Sequence, residues 1–117
     1  MQRLNARFKL WLSSKDVEGA FGDGKWRLLK AVAAEGSLRA ASDMLKISYR
    51  KAWGDLKKAE EALGIALVQK ERGGSGGGGS GLTAEGERWV RAYERFRAEI
   101  EKVVEKAYSK HIRGLGK

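Results

Sequence analysis

The chain has 117 residues, 42% hydrophobic and 33% charged, and its 24 Lys and Arg outnumber 15 Asp and Glu for a net charge of +9. That length suits one domain with a modest core and excludes a disordered composition. Cysteine is absent, which excludes disulfides and thiolate zinc sites, and no apolar run reaches the roughly 18 residues of a membrane span. A cytoplasmic protein is expected. A small domain this basic is suited to a polyanion where its charge clusters. Asn5, Gln2 and Gln69 are the only side-chain amides, and with the high charge they give a thermophile-like composition.

The N-terminal stretch alternates. Leu4, Ala6, Phe8, Leu10 and Leu12 are apolar, with Asn5, Arg7, Lys9 and Trp11 between them. This predicts a strand with one buried face, not a signal peptide. "SSKDVEGAFGDG" reads as a loop ending in Asp23, the expected N-cap of the first helix. Loop carboxylates such as Asp16, Glu18 and Asp23 are expected to be solvated. In "KWRLLKAVAAEG", Trp26, Leu29 and Val32 share a face with Leu28 and Ala33, and Gly36 stops the helix.

Ser37 caps a short second helix, "LRAASDML", with Leu38, Ala41 and Leu45 inward. Lys46 and Ile47 make a tight turn. Ser48 caps a third helix, "YRKAWGDLKKAEEALG", whose inner stripe is Ala52, Leu56, Ala59 and Leu63. Trp53 falls at the edge of that stripe and is expected to be mostly core. "IALVQKER" predicts a strand, a glycine run follows, and "GLT" leads to Thr83, the cap of a long final helix. On that helix Trp89, Tyr93, Phe96, Ile100, Val103 and Ala107 step by four and three, a heptad-like stripe.

A short capped helix, a tight turn and a longer helix match the helix-turn-helix pattern, which presents the start of its second helix to the major groove. Arg50 is placed for base readout beside Ser48 and Tyr49, since arginine can bond guanine through two donors. Lys51, Lys57, Lys58 and Arg39 suit phosphates. The Ser37 end of the second helix offers backbone N–H groups to a further phosphate.

The run from Gly36 to Phe96 resembles the N-terminal DNA-binding domain of ModE-type, molybdate-responsive regulators. It is similar, more distantly, to the winged helix of LysR-type regulators. The residues carrying the resemblance are Gly36-Ser37, "ISYRKAW" from Ile47 to Trp53, Leu67-Val68, Glu71-Arg72, the glycine run, and "LTAEGER" from Leu82 to Arg88. It implies a mainly α fold with a small β wing: one winged helix-turn-helix domain with an N-terminal strand and a long C-terminal dimerisation helix. Residues 37–63 would be the helix-turn-helix, 65–83 the wing and 84–110 the dimerisation helix. The implied partners are double-stranded DNA, on a roughly palindromic operator, and a second copy of the chain. Lys70, Arg72, Gly74, Ser75 and Gly76 fall on the wing; family members often carry a basic residue where this tip has Ser75. The stripe on the final helix could pack back on its own domain or pair with a second copy; because it is longer than a small domain can cover, pairing is expected, through Phe8, Trp89, Tyr93, Phe96, Ile100 and Val103. Full-length members carry oxyanion-binding modules after the long helix, where this sequence has only "YSKHIRGLGK". Molybdate sensing is therefore not carried over, and no cofactor or small-molecule effector site is expected.

Other readings are weaker. Gly74, Gly76 and Gly79 satisfy G-x-G-x-x-G, but any glycine run does, and no strand with a ribose-binding acid follows the last helix. His111 is the only histidine, near the C-terminus, with no nucleophile in a recognisable setting, so no enzyme is expected. The serious alternative is a sequence-tolerant architectural DNA-binding protein, or an antirepressor, without an effector domain.

Overall fold

The computed structural model describes residues 2–71 and 79–116. Two short strands, β1 (Trp11–Leu12) and β2 (Phe21–Gly22), pair antiparallel and lead into α1 (Asp23–Glu35). Then come α2 (Leu38–Leu45), α3 (Tyr49–Leu63), β3 (Val68–Glu71), β4 (Gly79–Leu82) and α4 (Ala84–His111). A short 3₁₀ turn at Arg113–Gly116 follows. β3 and β4 form an antiparallel hairpin in which Val68 faces Leu82 and Glu71 faces Gly79. This is a winged helix-turn-helix fold.

The core is small and contiguous. Leu28, Leu29, Ala31 and Val32 of α1 meet Leu38 and Ala41 of α2 and Ala52, Leu56 and Ala59 of α3. Phe21, Leu67 and Tyr93 close it. Ala41 and Ala52 are fully buried, which lets α1, α2 and α3 cross closely. The stripes expected on α2 and α3 pack inward, with Leu45, Ile47 and Leu63 at the edge of the core. Gly36 and Gly64 end α1 and α3 in the left-handed conformation.

The wing is fastened at its base. Glu60 of α3 accepts the N–H groups of Leu67 at 2.8 Å and Val68 at 3.3 Å. Thr83 donates its N–H to the Leu67 carbonyl at 3.0 Å and its hydroxyl to the Ala66 carbonyl at 2.7 Å. The same hydroxyl caps α4 by accepting from Gly86 at 2.9 Å. Gly86 must lack a side chain, because a Cβ there would overlap the Leu67 carbonyl oxygen.

α4 is 28 residues long, about 42 Å at the helical rise. It gives the molecule a long axis of 61 Å and a radius of gyration of 17.5 Å, against about 13 Å for a compact chain of this size.

Several expectations are corrected. The N-terminal strand reduces to Trp11–Leu12, because residues 4–10 have no neighbouring strand among the described residues. Their alternation survives as exposure: Asn5, Arg7, Lys9 and Trp11 are exposed, while Ala6, Phe8, Leu10 and Leu12 are half-buried. This arm runs beside α4, where the Tyr108 hydroxyl donates to the Leu4 carbonyl at 3.1 Å. The strand predicted from Ile65 begins only at Val68; Ile65 packs on the core and Leu67 is buried in it. Ala33 and Ala107 lie on exposed faces. Asp23 is not the N-cap of α1. Gly22 holds that position, and Asp23 is a buried first-turn residue.

Candidate nucleic-acid interface

Both helices of the helix-turn-helix start on a serine. Ser37 Oγ accepts the Ala40 N–H, and Ser48 Oγ accepts the Lys51 N–H, each at 3.0 Å. Each hydroxyl keeps its own hydrogen to donate outward. The turn is made by Lys46, whose φ is 59°. Its N–H donates to the Asp43 carbonyl at 3.1 Å, and the Ile47 N–H donates to the Ser42 carbonyl at 3.0 Å.

The outward face of α3 is basic. Arg50, Lys51, Lys57 and Lys58 are all exposed. Lys51 Nζ lies 3.0 Å from Asp55 and Lys57 Nζ 3.2 Å from Glu60. Among the described residues, Arg50 and Lys58 have no acidic partner. Tyr49 is exposed under the Arg39 guanidinium, 4.5 Å from the ring centroid. That stack joins the first turns of α2 and α3, so Ser37, Arg39, Ser48, Tyr49 and Arg50 share one end of the motif.

Trp53 is a correction: it is 49% exposed, not core. On α3 it follows Tyr49 by one turn, on the flank of the buried stripe, and Lys57 Nζ sits 5.6 Å from its ring. Lys25 was not foreseen. Burial lowers its pKa, and the nearby charges of Asp55, Lys58 and Lys51 place it in the field of the basic edge of α3. Lys25 and Lys51 also line a groove of about 1560 Å³ between the N-terminal arm, α1 and α4. An isolated lysine early in a helix gives no sequence signal of such company.

Among the described residues, β4 of the wing is bonded to this face. Ser80 donates its N–H to the Gly36 carbonyl at 2.7 Å, at the corner between α1 and α2. Lys70 is exposed on β3. Arg72, Gly74, Ser75 and Gly76 lie outside the described residues.

The pairing stripe divides in two. Tyr93 is only 2% exposed and Trp89 half-buried; both rings pack on Phe21, at 5.2 and 5.1 Å. They belong to their own core. Tyr93 donates to Asp23 Oδ1 at 2.7 Å and lies 2.9 Å from the Leu10 carbonyl. Burial, then the hydrogen bond to Asp23, holds the Tyr93 hydroxyl well above the usual phenol range. Further along α4, Phe96 and Val103 are exposed and Ile100 half-buried. Phe8 is half-buried, with the Arg97 guanidinium 4.6 Å from its ring centroid.

A hairpin wing docked beside an exposed basic helix, itself set by a capped turn, defines the DNA-binding domain of a transcriptional regulator. The chain belongs to the bacterial regulatory helix-turn-helix proteins of the lysR family, whose profile matches residues 24–87. It is similar to several ModE proteins. The molybdenum transport protein ModE of Azotobacter vinelandii is 33% identical over 91 residues, which cover 78% of this chain and 34% of that protein. The chain thus matches about a third of the length of that relative. The structure of the CbnR DBD–DNA complex shares the fold at a TM-score of 0.61 and 21% identity, covering 74% of this chain and 94% of that one. The BenM DBD bound to benA site 1 DNA superposes at a TM-score of 0.54 and 27% identity, over 76% and 95% of the two chains.

Proposed function

We propose that the chain is a sequence-specific regulator that binds double-stranded DNA as a homodimer in the cytoplasm. The observation that carries this reading is the start of α3. Ser48, Tyr49 and Arg50 are exposed there, and Lys51, Lys57 and Lys58 follow on the outward face. Arg50 reads a guanine edge, with Tyr49 and Ser48 beside it, while Arg39 and the lysines hold phosphates. The wing adds Lys70, exposed on β3, as a further phosphate contact.

The homodimer reading rests on the outer half of α4. Phe96 is 40% and Val103 61% exposed, and no element of their own domain covers them among the described residues. Pairing there, with Phe8 of the arm alongside, buries both. A symmetric dimer then sets two recognition helices about 34 Å apart, one turn of DNA.

Selection of binding sites from random duplexes tests the proposal. The expected product is a two-fold symmetric motif with half-sites one helical turn apart. Recovery of no motif, with equal affinity for all duplexes and a steep salt dependence, overturns it in favour of sequence-tolerant architectural binding.

A further inference from the structure

Gly54 has no structural reason to be glycine. It lies in the second turn of α3, and positive φ among the described glycines is confined to Gly19, Gly36 and Gly64. A Cβ on Gly54 would meet nothing within 4 Å. Neither backbone conformation nor packing asks for it, and a glycine inside a helix weakens that helix relative to alanine.

Its surroundings are unusual. On a helix surface the neighbours of a residue stand three and four positions away. For Gly54 these are Arg50, Lys51, Lys57 and Lys58, all exposed and all cationic. Trp53 stands beside it, 49% exposed. Gly54 therefore leaves the α3 backbone uncovered between four cationic side chains, of which Lys51 and Lys57 are paired to Asp55 and Glu60 while Arg50 and Lys58 have no acidic partner among the described residues. An uncovered backbone flanked by cations lets a polyanion such as DNA approach the helix closely at this point.

We propose that Gly54 is the point where the α3 backbone lies against base-pair edges in the major groove. The missing side chain then sets how deeply the helix enters and whether Arg50 reaches its base. This inference rests on the sequence-specific reading above. The major groove is about 12 Å wide and a helix with side chains nearly fills it. One added carbon extends the helix surface by about 1.5 Å, more than the tolerance of the hydrogen bonds made by its neighbours.

The test is Gly54→Ala in the full chain. Its melting temperature is read alongside affinity for two labelled duplexes, the one recovered by selection and a scrambled duplex of the same composition. The expected result is a melting temperature higher by about 3 °C. Affinity for the selected duplex falls about tenfold or more, and affinity for the scrambled duplex stays within about twofold. A more stable variant with undiminished affinity for the selected duplex overturns the inference and leaves the regulator reading intact. Equal losses on both duplexes also overturn it, because they put the sequence-blind phosphate backbone at Gly54. A wild-type protein that does not distinguish the duplexes overturns the sequence-specific reading, and this inference with it.

Discussion

The guanidinium of Arg97 on α4 lies 2.9 Å from Asp23 Oδ1 at the start of α1. Asp23 also accepts from the Tyr93 hydroxyl at 2.7 Å and from the Leu10 N–H at 3.2 Å. One carboxylate thus ties the long helix, the N-terminal arm and the helix-turn-helix body together. Phe8 of the arm lies against the same guanidinium.

This junction makes stability depend on acid. Burial pushes the Asp23 pKa up, but hydrogen bonds from Arg97, Tyr93 and Leu10 outweigh it, so the folded pKa lies below the ordinary value. A carboxylate depressed in the folded state stabilises it above the unfolded pKa, about 3.9, and loses that contribution as pH falls through the folded value. Asp23→Asn should cost about 2 kcal/mol at pH 7, since Arg97 loses its closer charge partner and keeps only the exposed Glu101 at 3.7 Å. The gap between wild type and variant should narrow below about pH 4. Urea denaturation across pH measures it, and a gap independent of pH counts against the assignment.

The base of the wing should be equally intolerant. At Gly86 an added Cβ meets the Leu67 backbone, which cannot rotate away. Gly86→Ala is expected to destabilise by about 1–3 kcal/mol, with the first turn of α4 shifted off β3. Thermal unfolding reads the loss, and an unchanged midpoint would refute the close packing.

At the DNA face, two cations should separate by role. Arg50→Ala is expected to cost about 1–3 kcal/mol and to relax choice at one position per half-site. Lys58→Ala should weaken binding to all sequences alike and lower the salt slope by about one. Binding-site selection with each variant distinguishes them. Unchanged specificity for Arg50→Ala would remove that residue from base readout.

Pairing through α4 predicts a monomer from Phe96→Asp. Phe96 is 40% exposed in the single chain, so the fold should tolerate a carboxylate that a paired apolar seam would not. Sedimentation velocity gives the answer, and a dimer of undiminished stability would place the interface elsewhere.

Much of this architecture was legible in the chain order of residues. The bounds of α2, the serine caps at Ser37 and Ser48, the glycine stops at Gly36 and Gly64, and the inner stripes of α2 and α3 depend on neighbours within a turn or two. Local chemistry decides such features, so local sequence carries them. The exposed basic face of α3 follows from the same periodicity, since what is not on the buried stripe faces outward.

Tertiary structure decided the rest. Period alone marked residues 4–12 as a strand, but a strand needs a partner, and among the described residues only Trp11 and Leu12 find one, at Gly22 and Phe21. Asp23 looked like a cap because the bond it makes with Arg97 spans 74 residues. Trp53 looked like core because it adjoins the inner stripe of α3 between Ala52 and Leu56; among the described residues nothing covers that flank, and the indole is left 49% exposed. The stripe on α4 was one pattern in sequence and became two surfaces. Trp89 and Tyr93 lie where the body of the domain covers α4, whereas Phe96 and Val103 are left open. Sequence determined which faces were apolar and where helices begin and end, because those properties are local. Which apolar face meets which partner was decided by how the elements pack, because contacts between distant residues exist only once the chain has folded.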